Sequence, residues 1–318
     1  MAIQQNTPEW EAARRETIGS SDIAVIVGES PHKSAYTLAA EKLGLIRELV
    51  DEAQQELFDI GHLMQPVLLK LYERKTGRHP KAAPTWRVHP QYPWATASLD
   101  GTAPVQRAVE AKWTHARRWR AEDRVPGDVE TQVQWQLFVI GWDVADVIVL
   151  DHTKPRVETI ERNDALIENL FYMAREFRGY LERGELPPVD GSESSSATLR
   201  ARYPRDNGVI LPTTPELADL TGRLAAARSE KKSAEDAERT VANALREILG
   251  VASGVDGLLS HKKSRDSERV QWPAVALAYR KLLERVTPSD TLDALQSIHT
   301  DTVEGARVLR LLSKGTPE

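Results

Sequence analysis

Three residues that could act on a phosphate group lie close together in the sequence. Asp100 is followed by the stretch Glu110-Ala111-Lys112. Side chains at alternate positions of a β-strand share a face, so Glu110 and Lys112 should point the same way, with Ala111 turned to the opposite side. Asp100 falls at the end of the neighbouring predicted strand, within reach of Glu110. The sequence therefore predicts two carboxylates and one ammonium around a single spot.

This grouping suits the metal-assisted hydrolysis of a phosphodiester. Two carboxylates can hold a hard divalent cation such as Mg2+, which polarises the phosphate and acidifies a bound water. The Lys112 ammonium could orient that water or neutralise the developing charge, and the carbonyl of Ala111 could be a further ligand. The alternative is a solvated hairpin edge that carries a cross-strand ion pair.

A β-hairpin is expected to hold these residues. Residues 94–99 alternate and run into Asp100-Gly101, a dipeptide typical of tight turns. Residues 109–113 are expected to form the return strand, and residues 86–90 a strand that leads into the hairpin. The turn would then place Asp100 beside the return strand.

A candidate anion site lies near the N-terminus. Ser20 and Ser21 follow Gly19 and precede an apolar run, so they can cap a short helix over 23–27. A helix N-terminus with free N–H groups and hydroxyls, close to Arg14, can bind an anion. The alternative, which this stretch alone favours, is an ordinary helix cap.

A helix over residues 59–77 is expected to face the core. Leu63, Val67 and Leu71 recur at helical spacing, and Gly77 ends the pattern. His62 has no partner at the spacing of metal ligands, so it is expected to be structural.

A second helix is expected over residues 129–141. Gln132 and Gln136 fall one turn apart on one face of this helix. They could bind a phosphate or a metal-bound water, or they could belong to an ordinary polar helix face.

The order of the elements predicts an α/β fold. The hairpin and its flanking helices are followed by expected strands over 144–150 and 157–160 and by a long amphipathic helix over 165–183. This order implies a mixed central β-sheet flanked by helices. A chain of 318 residues suits one large domain with an appendage.

Composition excludes several classes of protein. The absence of cysteine excludes disulfides, thiolate metal ligands and a cysteine nucleophile. The sequence contains no apolar run that could span a bilayer, and its first residues lack the layout of a signal peptide, so a soluble cytoplasmic protein is expected. The net charge of -5 argues against indiscriminate wrapping of nucleic acid. A local basic groove could still form from Arg117, Arg118, Arg120 and Arg124. Trp119 lies among these arginines and is the tryptophan expected to contact DNA.

The chain divides into three parts by composition. Residues 1–183 are expected to form the core, and residues 184–214, rich in proline, glycine and serine, a linker. Residues 215–318 are expected to be mainly helical, with a long helix over 215–249 and a small β-hairpin within 251–262. Such a helix is usually a coiled arm or a surface that docks a partner.

Several motifs, taken in order, resemble those of a nuclease family. They are Trp10, Arg14, Ile18-Gly19-Ser20-Ser21-Asp22-Ile23-Ala24, Gly61, Pro66, Tyr72, Thr76-Gly77, Ala97-Ser98-Leu99-Asp100-Gly101, Glu110-Ala111-Lys112, Gln132-Val133-Gln134 and Gly141. Residues from about Trp10 to Glu182 resemble the YqaJ-like phage recombinase nucleases, the lambda exonuclease branch of the PD-(D/E)xK superfamily. The order of these motifs is far more specific than any one of them.

The resemblance implies an activity and its partners. Residues 1–183 would form a restriction-endonuclease-like exonuclease core that degrades double-stranded DNA ends from 5′ to 3′ with Mg2+, for which Mn2+ would substitute. The 3′ tails would serve phage recombination by strand annealing, with a single-strand annealing protein as partner, in the cytoplasm of a bacterial host. Relatives that thread DNA through a ring imply a ring-shaped homo-oligomer.

The resemblance also implies residue roles. Asp100, Glu110 and the carbonyl of Ala111 would bind the metal, Lys112 would position the attacking water, and Gln132 would assist near the scissile phosphate. The residues that would contact DNA or its 5′-terminal phosphate are Arg14, Ser20, Ser21 and Gln134.

One position departs from the family's pattern. Where such nucleases often carry a glutamate before the proline of the Gly61 helix, this chain has Gln65. A neutral amide oxygen can coordinate a metal, but it lacks the charge that draws a second Mg2+. The alternatives to an exonuclease are a structure-specific or single-strand endonuclease on the same core, and a catalytically impaired protein that binds DNA ends.

Overall fold

The computed structural model describes residues 8–47, 52–83, 86–114, 125–151, 154–263, 271–283 and 287–299. Contacts divide the chain into two units, Met1–Pro204 and Arg205–Glu318. The candidate site residues all fall in the first unit.

The described strands of the first unit form two sheets. They are β1 Lys81–Ala82, β2 Trp86–Val88, β3 Thr96–Ser98, β4 Gly101–Ala103, β5 Arg107–Thr114, β6 Val144–Asp151 and β7 Lys154–Glu161. The main sheet has five strands in the order β1-β4-β5-β6-β7, with β5 and β6 parallel and the other neighbours antiparallel. Strands β2 and β3 form a separate antiparallel pair.

The described helices of the first unit pack around these sheets. They are α1 Pro8–Glu16, α2 Ser20–Ile26, α3 Ala35–Lys42, α4 Glu52–Thr76, α5 Gly127–Ile140, α6 Asp164–Glu182 and α7 Glu193–Arg202. A mixed sheet with helices on both faces confirms the predicted α/β class.

Strand β5 is covered by a different helix on each face. Ala108 packs with Val133 and Leu137 of α5, whereas Val109 packs with Leu68 of α4. Because side chains alternate along a strand, the even-numbered residues of β5 face α5 and the odd-numbered residues face α4. The sequence correctly predicted that Glu110 and Lys112 share a face.

The predicted turn at Asp100-Gly101 is wrong. Strand β3 pairs with β2, and the chain passes from one sheet to the other at Asp100 before β4 begins. The hairpin joins β4 to β5 instead, and its turn contains Val105 and Gln106 at φ values of 65° and 50°. Two consecutive left-handed residues match the twist of the flanking strands, although neither residue is typical of such a turn.

Gly101 allows close packing and is not part of a turn. A Cβ added to it would lie 2.9 Å from Cδ2 of Leu69 and 3.2 Å from the carbonyl oxygen of Lys81. Helix α4 therefore approaches the sheet closely beside Asp100 because residue 101 has no side chain.

Helix α4 faces the core with a different stripe from the predicted one. Leu63 is 76% exposed and Val67 is 44% exposed, whereas Leu68, Leu69 and Tyr72 are buried against the sheet. Both stripes have helical spacing, so the pattern alone could not distinguish them. Contact with the sheet is made by the C-terminal half of the helix.

A buried carboxylate joins α4 to the sheet. Asp146 of β6 accepts hydrogen bonds from the Tyr72 hydroxyl at 2.7 Å, from Arg107 at 2.6 Å and from Thr159 at 2.8 Å. Burial, together with the Asp146 carboxylate, raises the pKa of Tyr72 to about 12. The neutral phenol therefore remains a donor to Asp146 at physiological pH.

The linker predicted over 184–214 is wrong in part, because α7 lies within it and packs on α3. The hydroxyl of Ser34, the N-cap residue of α3, lies 2.9 Å from the hydroxyl of Ser195. The hydroxyl of Thr37 lies 2.7 Å from that of Ser194 and 2.8 Å from that of Thr198. Serine-rich segments are typical of loops, but these hydroxyls find partners on a facing helix. The sequence of one segment could not reveal that partner.

The second unit contains α8 Pro215–Leu249, the short strands β8 Gly254–Val255 and β9 Leu259–Ser260, and the helices α9 Trp272–Leu283 and α10 Ser289–Ile298. The long helix and the hairpin agree with the sequence prediction. Helix α8 buries none of its residues. Among the described helices, none combines the length and apolar character that crossing a membrane requires.

Candidate metal and phosphate site

A cleft of about 180 Å³ opens where β3, β5, α4 and the start of α2 meet. Its walls bring together residues from six separate parts of the chain: Arg14, Gly19, Ser20, Ser21, His62, Gln65, Trp86, Thr96, Ala97, Ser98, Asp100, Glu110 and Gln132. The lining includes both carboxylates, Asp100 and Glu110, as well as Arg14 and the two serines. The two candidate sites predicted from the sequence are therefore parts of one cleft.

Asp100 is held by two donors. Its Oδ2 accepts the backbone N–H of Ala111 at 2.8 Å, and its Oδ1 accepts the side-chain amide of Gln65 at 2.9 Å. Burial and the nearby Glu110 carboxylate raise the pKa of Asp100 to about 7. A positive charge placed between the two carboxylates would relieve this repulsion.

Glu110 is buried, with 3% of its surface exposed, and both of its carboxylate oxygens are bound. Oε1 accepts Nε2 of Gln132 at 2.7 Å and pairs with Nζ of Lys112 at 2.8 Å. Oε2 accepts Nε2 of Gln136 at 2.7 Å. The side chain therefore has one fixed orientation.

Lys112 completes this cluster. Its Nζ donates to Oε1 of Gln132 at 2.9 Å as well as pairing with Glu110. Burial alone would lower the pKa of Lys112, but Glu110 and then Asp100 outweigh it and hold the pKa above its usual value. Lys112 is thus a fixed cation beside two carboxylates, as the sequence predicted.

A second ionic cluster supports the Arg14 side of the cleft. Asp22 is buried, accepts the backbone N–H of Gly19 at 2.9 Å and pairs with Lys42 at 2.9 Å and Arg14 at 3.9 Å. Burial alone would raise the pKa of Asp22, but Lys42 and Arg14 outweigh it and hold the pKa below its usual value. The ionised carboxylate therefore ties together the segment that carries Ser20.

Comparison with known proteins identifies the segment that forms this cleft. Residues 9–143 match the family described as the YqaJ-like viral recombinase domain. This segment is therefore similar to that family, and we call it the YqaJ-like domain. The resemblance predicted from the sequence is confirmed, and the matched segment contains all the described candidate site residues, from Arg14 to Gln136.

Relatives of the YqaJ-like domain occur in bacterial and viral proteins. YqaJ of Bacillus subtilis (strain 168), an uncharacterized protein, is 29% identical over 208 residues, which are 63% of this chain and 64% of YqaJ. Protein D345L of African swine fever virus (strain Badajoz 1971 Vero-adapted) is 33% identical over 73 residues, which are 23% of this chain and 21% of D345L. The chain thus spans less than two thirds of the length of YqaJ.

Solved structures that resemble this chain include two exonucleases. One is LHK-Exo, an alkaline exonuclease from Laribacter hongkongensis, in complex with dAMP. Its comparison with this chain gives a TM-score of 0.47 and 23% identity, and covers 56% of this chain and 93% of that chain. The other is a phage-related exonuclease from Haemophilus somnus 129PT, with a TM-score of 0.44 and 13% identity over 52% of this chain and 94% of that chain.

One residue predicted to bind DNA lies elsewhere in the YqaJ-like domain. Gln134 is 1% exposed, donates to the carbonyl of Glu161 at 2.8 Å and accepts the N–H of Asn163 at 2.9 Å. It therefore joins α5 to the start of α6 and does not reach the cleft. The interpretation was wrong because Gln134 is on the opposite side of α5 from Gln132.

The predicted DNA contact Trp119 and its neighbouring arginines lie outside the described residues. Among described residues, Trp86, Ser98 and His62 also line the cleft, although the sequence did not predict them there. His62 could have been found, because it precedes Gln65 by about one helical turn and so shares its face of α4. His62 was interpreted as structural because no residue near it in the sequence has the spacing of a metal ligand. Its neighbours in the cleft come from distant parts of the chain.

A larger cavity adjoins the cleft. It has a volume of about 400 Å³ and shares His62, Gln65 and Asp100 with the cleft. Its other walls are mainly apolar and consist of Pro66, Leu69, Pro80, Ala82 and Leu99. This volume is within the range that holds small organic ligands.

The donors of the YqaJ-like domain suit a hard cation. The carboxylates of Asp100 and Glu110 supply oxygen atoms, which Mg2+ and Mn2+ prefer, whereas Gln65 turns its amide nitrogen toward Asp100. Across the described ranges, no cluster of three or more histidine, cysteine, aspartate or glutamate residues could hold a metal. Asp100 and Glu110 are the acidic residues that line the cleft, and this pair of carboxylates fits one divalent cation that neutral oxygen donors would complete.

Proposed function

We propose that the YqaJ-like domain is a divalent-metal-dependent deoxyribonuclease that degrades double-stranded DNA ends from 5′ to 3′. The 3′ tails left behind would serve phage recombination by strand annealing in a bacterial cytoplasm. The observation that carries this proposal is the grouping of Asp100 and Glu110 in a cleft that also contains Arg14 and Ser21, with Lys112 paired to Glu110 behind the residues that line it.

Each residue has a role that its contacts support. A bound Mg2+ or Mn2+ would supply Lewis-acid activation of the phosphate and of a water. Asp100, Glu110 and the carbonyl of Ala111 would hold the cation, with Gln65 as a neutral donor beside Asp100. Lys112 is fixed by Glu110 and Gln132, so its ammonium can donate to the attacking water or stabilise charge on the phosphate.

Arg14 and the two serines of the cleft lining would bind the terminal phosphate. Arg14 has a partly exposed side chain, and Ser20 and Ser21 also line the cleft. A guanidinium and hydroxyl groups are donors that match phosphate oxygens. Binding of a terminal phosphate here would place the following phosphodiester near Asp100 and Glu110, which accounts for an exonuclease that begins at 5′ ends.

The activity can be tested with linear duplex DNA that carries or lacks a 5′ phosphate, incubated with Mg2+ or with EDTA. Wild type should release nucleotides only with Mg2+, and Lys112→Met should lose most of this activity. Lys70→Met, an exposed lysine on α4 that does not line the cleft, should retain it. Cleavage of covalently closed circles would instead indicate an endonuclease.

A protein that binds DNA ends without cutting them is the second candidate. It is favoured by Gln65, which leaves two carboxylates in the cleft and supplies no third charge for a second cation. Tight binding of duplex ends, without cleavage in either Mg2+ or Mn2+, would select this function.

Assembly is proposed from the family resemblance. We expect a ring-shaped homo-oligomer that encloses DNA, and a single-strand annealing protein that takes up the 3′ tail. Light scattering on the purified chain would test the oligomer, since a monomeric mass at assay concentrations would contradict the ring.

A further inference from the structure

Two glutamines of α5 bind the Glu110 carboxylate from different sides. Gln132 lines the cleft and donates to Oε1 of Glu110 at 2.7 Å. Gln136, one turn later, is fully buried and donates to Oε2 at 2.7 Å. The same Nε2 of Gln136 also donates to the carbonyl of Ser98 at 3.1 Å.

The contacts of Gln136 connect parts of the cleft that belong to different sheets. Ser98 lies in β3 of the small sheet, whereas Glu110 lies in β5 of the main sheet. One amide group therefore sets the position of the Glu110 carboxylate relative to the wall that Ser98 forms. Such control of a metal-ligand side chain is the usual task of residues behind a metal site.

The orientation of the Gln136 amide follows from its neighbours. Both partners of Nε2 are oxygen acceptors, so exchanging the nitrogen and oxygen would place an oxygen against two oxygens. The amide oxygen, Oε1, is buried and has no hydrogen-bond partner within the described part of the chain. Gln136 thus keeps both hydrogen bonds that it donates, while its own amide oxygen accepts none. This indicates that the site uses Gln136 as a hydrogen-bond donor.

We propose that Gln136 is a positioning residue for the metal site. It holds Oε2 of Glu110 from behind and thereby keeps Oε1 on the cleft side, beside Lys112 and Gln132. This inference rests on the proposed function, because it assumes that Glu110 binds a divalent cation. It predicts that loss of the Gln136 amide weakens cation binding although Gln136 itself does not touch the cation.

Gln134 provides a matched control on the same helix. It is also a buried glutamine, and its amide also donates to a backbone carbonyl, that of Glu161. It makes no contact with Glu110 in the hydrogen bonds of the described residues. A general loss of packing or hydrogen bonding in α5 should therefore affect Gln134 and Gln136 variants alike, whereas cation binding should depend on Gln136 alone.

The test is calorimetric titration of the full chain with Mn2+ and with Mg2+, without DNA. Gln136→Met, which approximately conserves volume, should raise the dissociation constant by about 10- to 100-fold. Gln134→Met should leave it within about twofold, with thermal unfolding used to compare the two variants. Equal dissociation constants for wild type and Gln136→Met would overturn this inference while leaving the proposed function intact. A wild type that binds no cation would overturn the proposed function itself.

A second variant and a measurement on wild type test the proposal even if Gln136→Met does not fold. Gln136→Asn keeps an amide but shortens it, so it should also weaken cation binding. In wild type, nuclear magnetic resonance should show the side-chain amide of Gln136 shifting as Mg2+ is added, with the amide of Gln134 unchanged. If neither variant folds, an unshifted Gln136 amide in cation-saturated wild type would overturn the proposal.

Discussion

The side-chain amide of Gln65 donates to Oδ1 of Asp100 at 2.9 Å. This bond turns the nitrogen of the amide, rather than its oxygen, toward the carboxylate. Gln65 therefore lowers the cost of placing the Asp100 charge beside Glu110 but adds no charge for a cation. Gln65 could coordinate a cation at Asp100 only if its amide rotated. Without that rotation, Gln65 would stay outside the coordination sphere.

We predict that Gln65→Glu lowers the Mg2+ concentration needed for half-maximal nuclease activity. A carboxylate at position 65 adds a charged ligand next to Asp100, which favours a second cation. Without metal, the same carboxylate should repel Asp100 and lower the melting temperature, and added Mg2+ should restore it. Gln54→Glu adds the same charge to α4 away from the cleft and serves as the control. A Mg2+ titration without a leftward shift would reject the prediction.

We predict that Arg14→Ala slows the digestion of 5′-phosphorylated ends selectively. The Arg14 guanidinium lines the cleft and is a charged donor for a terminal phosphate. The ratio of rates on phosphorylated and unphosphorylated ends should fall by about tenfold or more, as expected for a lost charge-assisted hydrogen bond. Arg15→Ala removes an adjacent exposed arginine that does not line the cleft and should leave the ratio unchanged. Equal slowing on both ends would count against phosphate binding by Arg14.

We predict that Lys42→Met destabilises the first unit strongly at neutral pH. The buried Lys42 ammonium donates to the carbonyls of Arg14 at 2.7 Å and Thr17 at 2.8 Å and pairs with Asp22. Removing one partner of a buried pair costs about 3 to 5 kcal/mol. Lys33→Met breaks a more exposed lysine–glutamate pair and should cost about 1 kcal/mol or less.

The pH dependence of this effect has a definite sign. The pKa of Asp22 is lowered in the folded protein, so its ionised form stabilises the fold above about pH 4, and this contribution is lost as the pH falls through the lowered pKa. The difference in unfolding free energy between wild type and Lys42→Met should therefore grow from pH 3 to pH 7. Urea denaturation across this range measures it, and a difference independent of pH would contradict an ionic role for Lys42.

We predict opposite effects from two glycine-to-alanine substitutions. Gly101→Ala should destabilise the protein by about 1 to 3 kcal/mol, because its Cβ would lie 2.9 Å from Leu69. Gly61→Ala in helix α4 meets no atom within 4 Å and should stabilise by about 0.5 to 1 kcal/mol. Denaturant unfolding of both variants measures these changes. A neutral Gly101→Ala would show that α4 can move away from the sheet at low cost.

Local alternation along one strand was enough to predict that Glu110 and Lys112 meet. The spacing of Glu110 and Lys112 determines that they share a face, whatever else surrounds the strand. The position of Asp100 was also predicted correctly, but for a wrong reason. Asp100 lies beside Glu110 because the chain crosses between two sheets there, not because Asp100-Gly101 forms the hairpin turn.

The features that sequence reasoning missed depend on contacts between distant segments. The stripe of α4 that faces the sheet depends on Gly101, because the missing side chain at this position allows Leu69 to pack closely. The distinct roles of Gln134 and Gln136 depend on which elements pack on each side of α5. The docking of the serine-rich helix α7 depends on the hydroxyl of Thr37, far away in sequence. Periodicity identifies an element but does not reveal its neighbours.

The proposed nuclease activity requires Asp100 and Glu110 to hold a divalent cation together, beside Lys112. Crystals of the full chain grown with Mn2+ would test it directly through the anomalous scattering of manganese. We predict a strong anomalous peak in contact with both carboxylates, which disappears in Asp100→Asn. Manganese bound only elsewhere, or a peak that persists unchanged in Asp100→Asn, would contradict it.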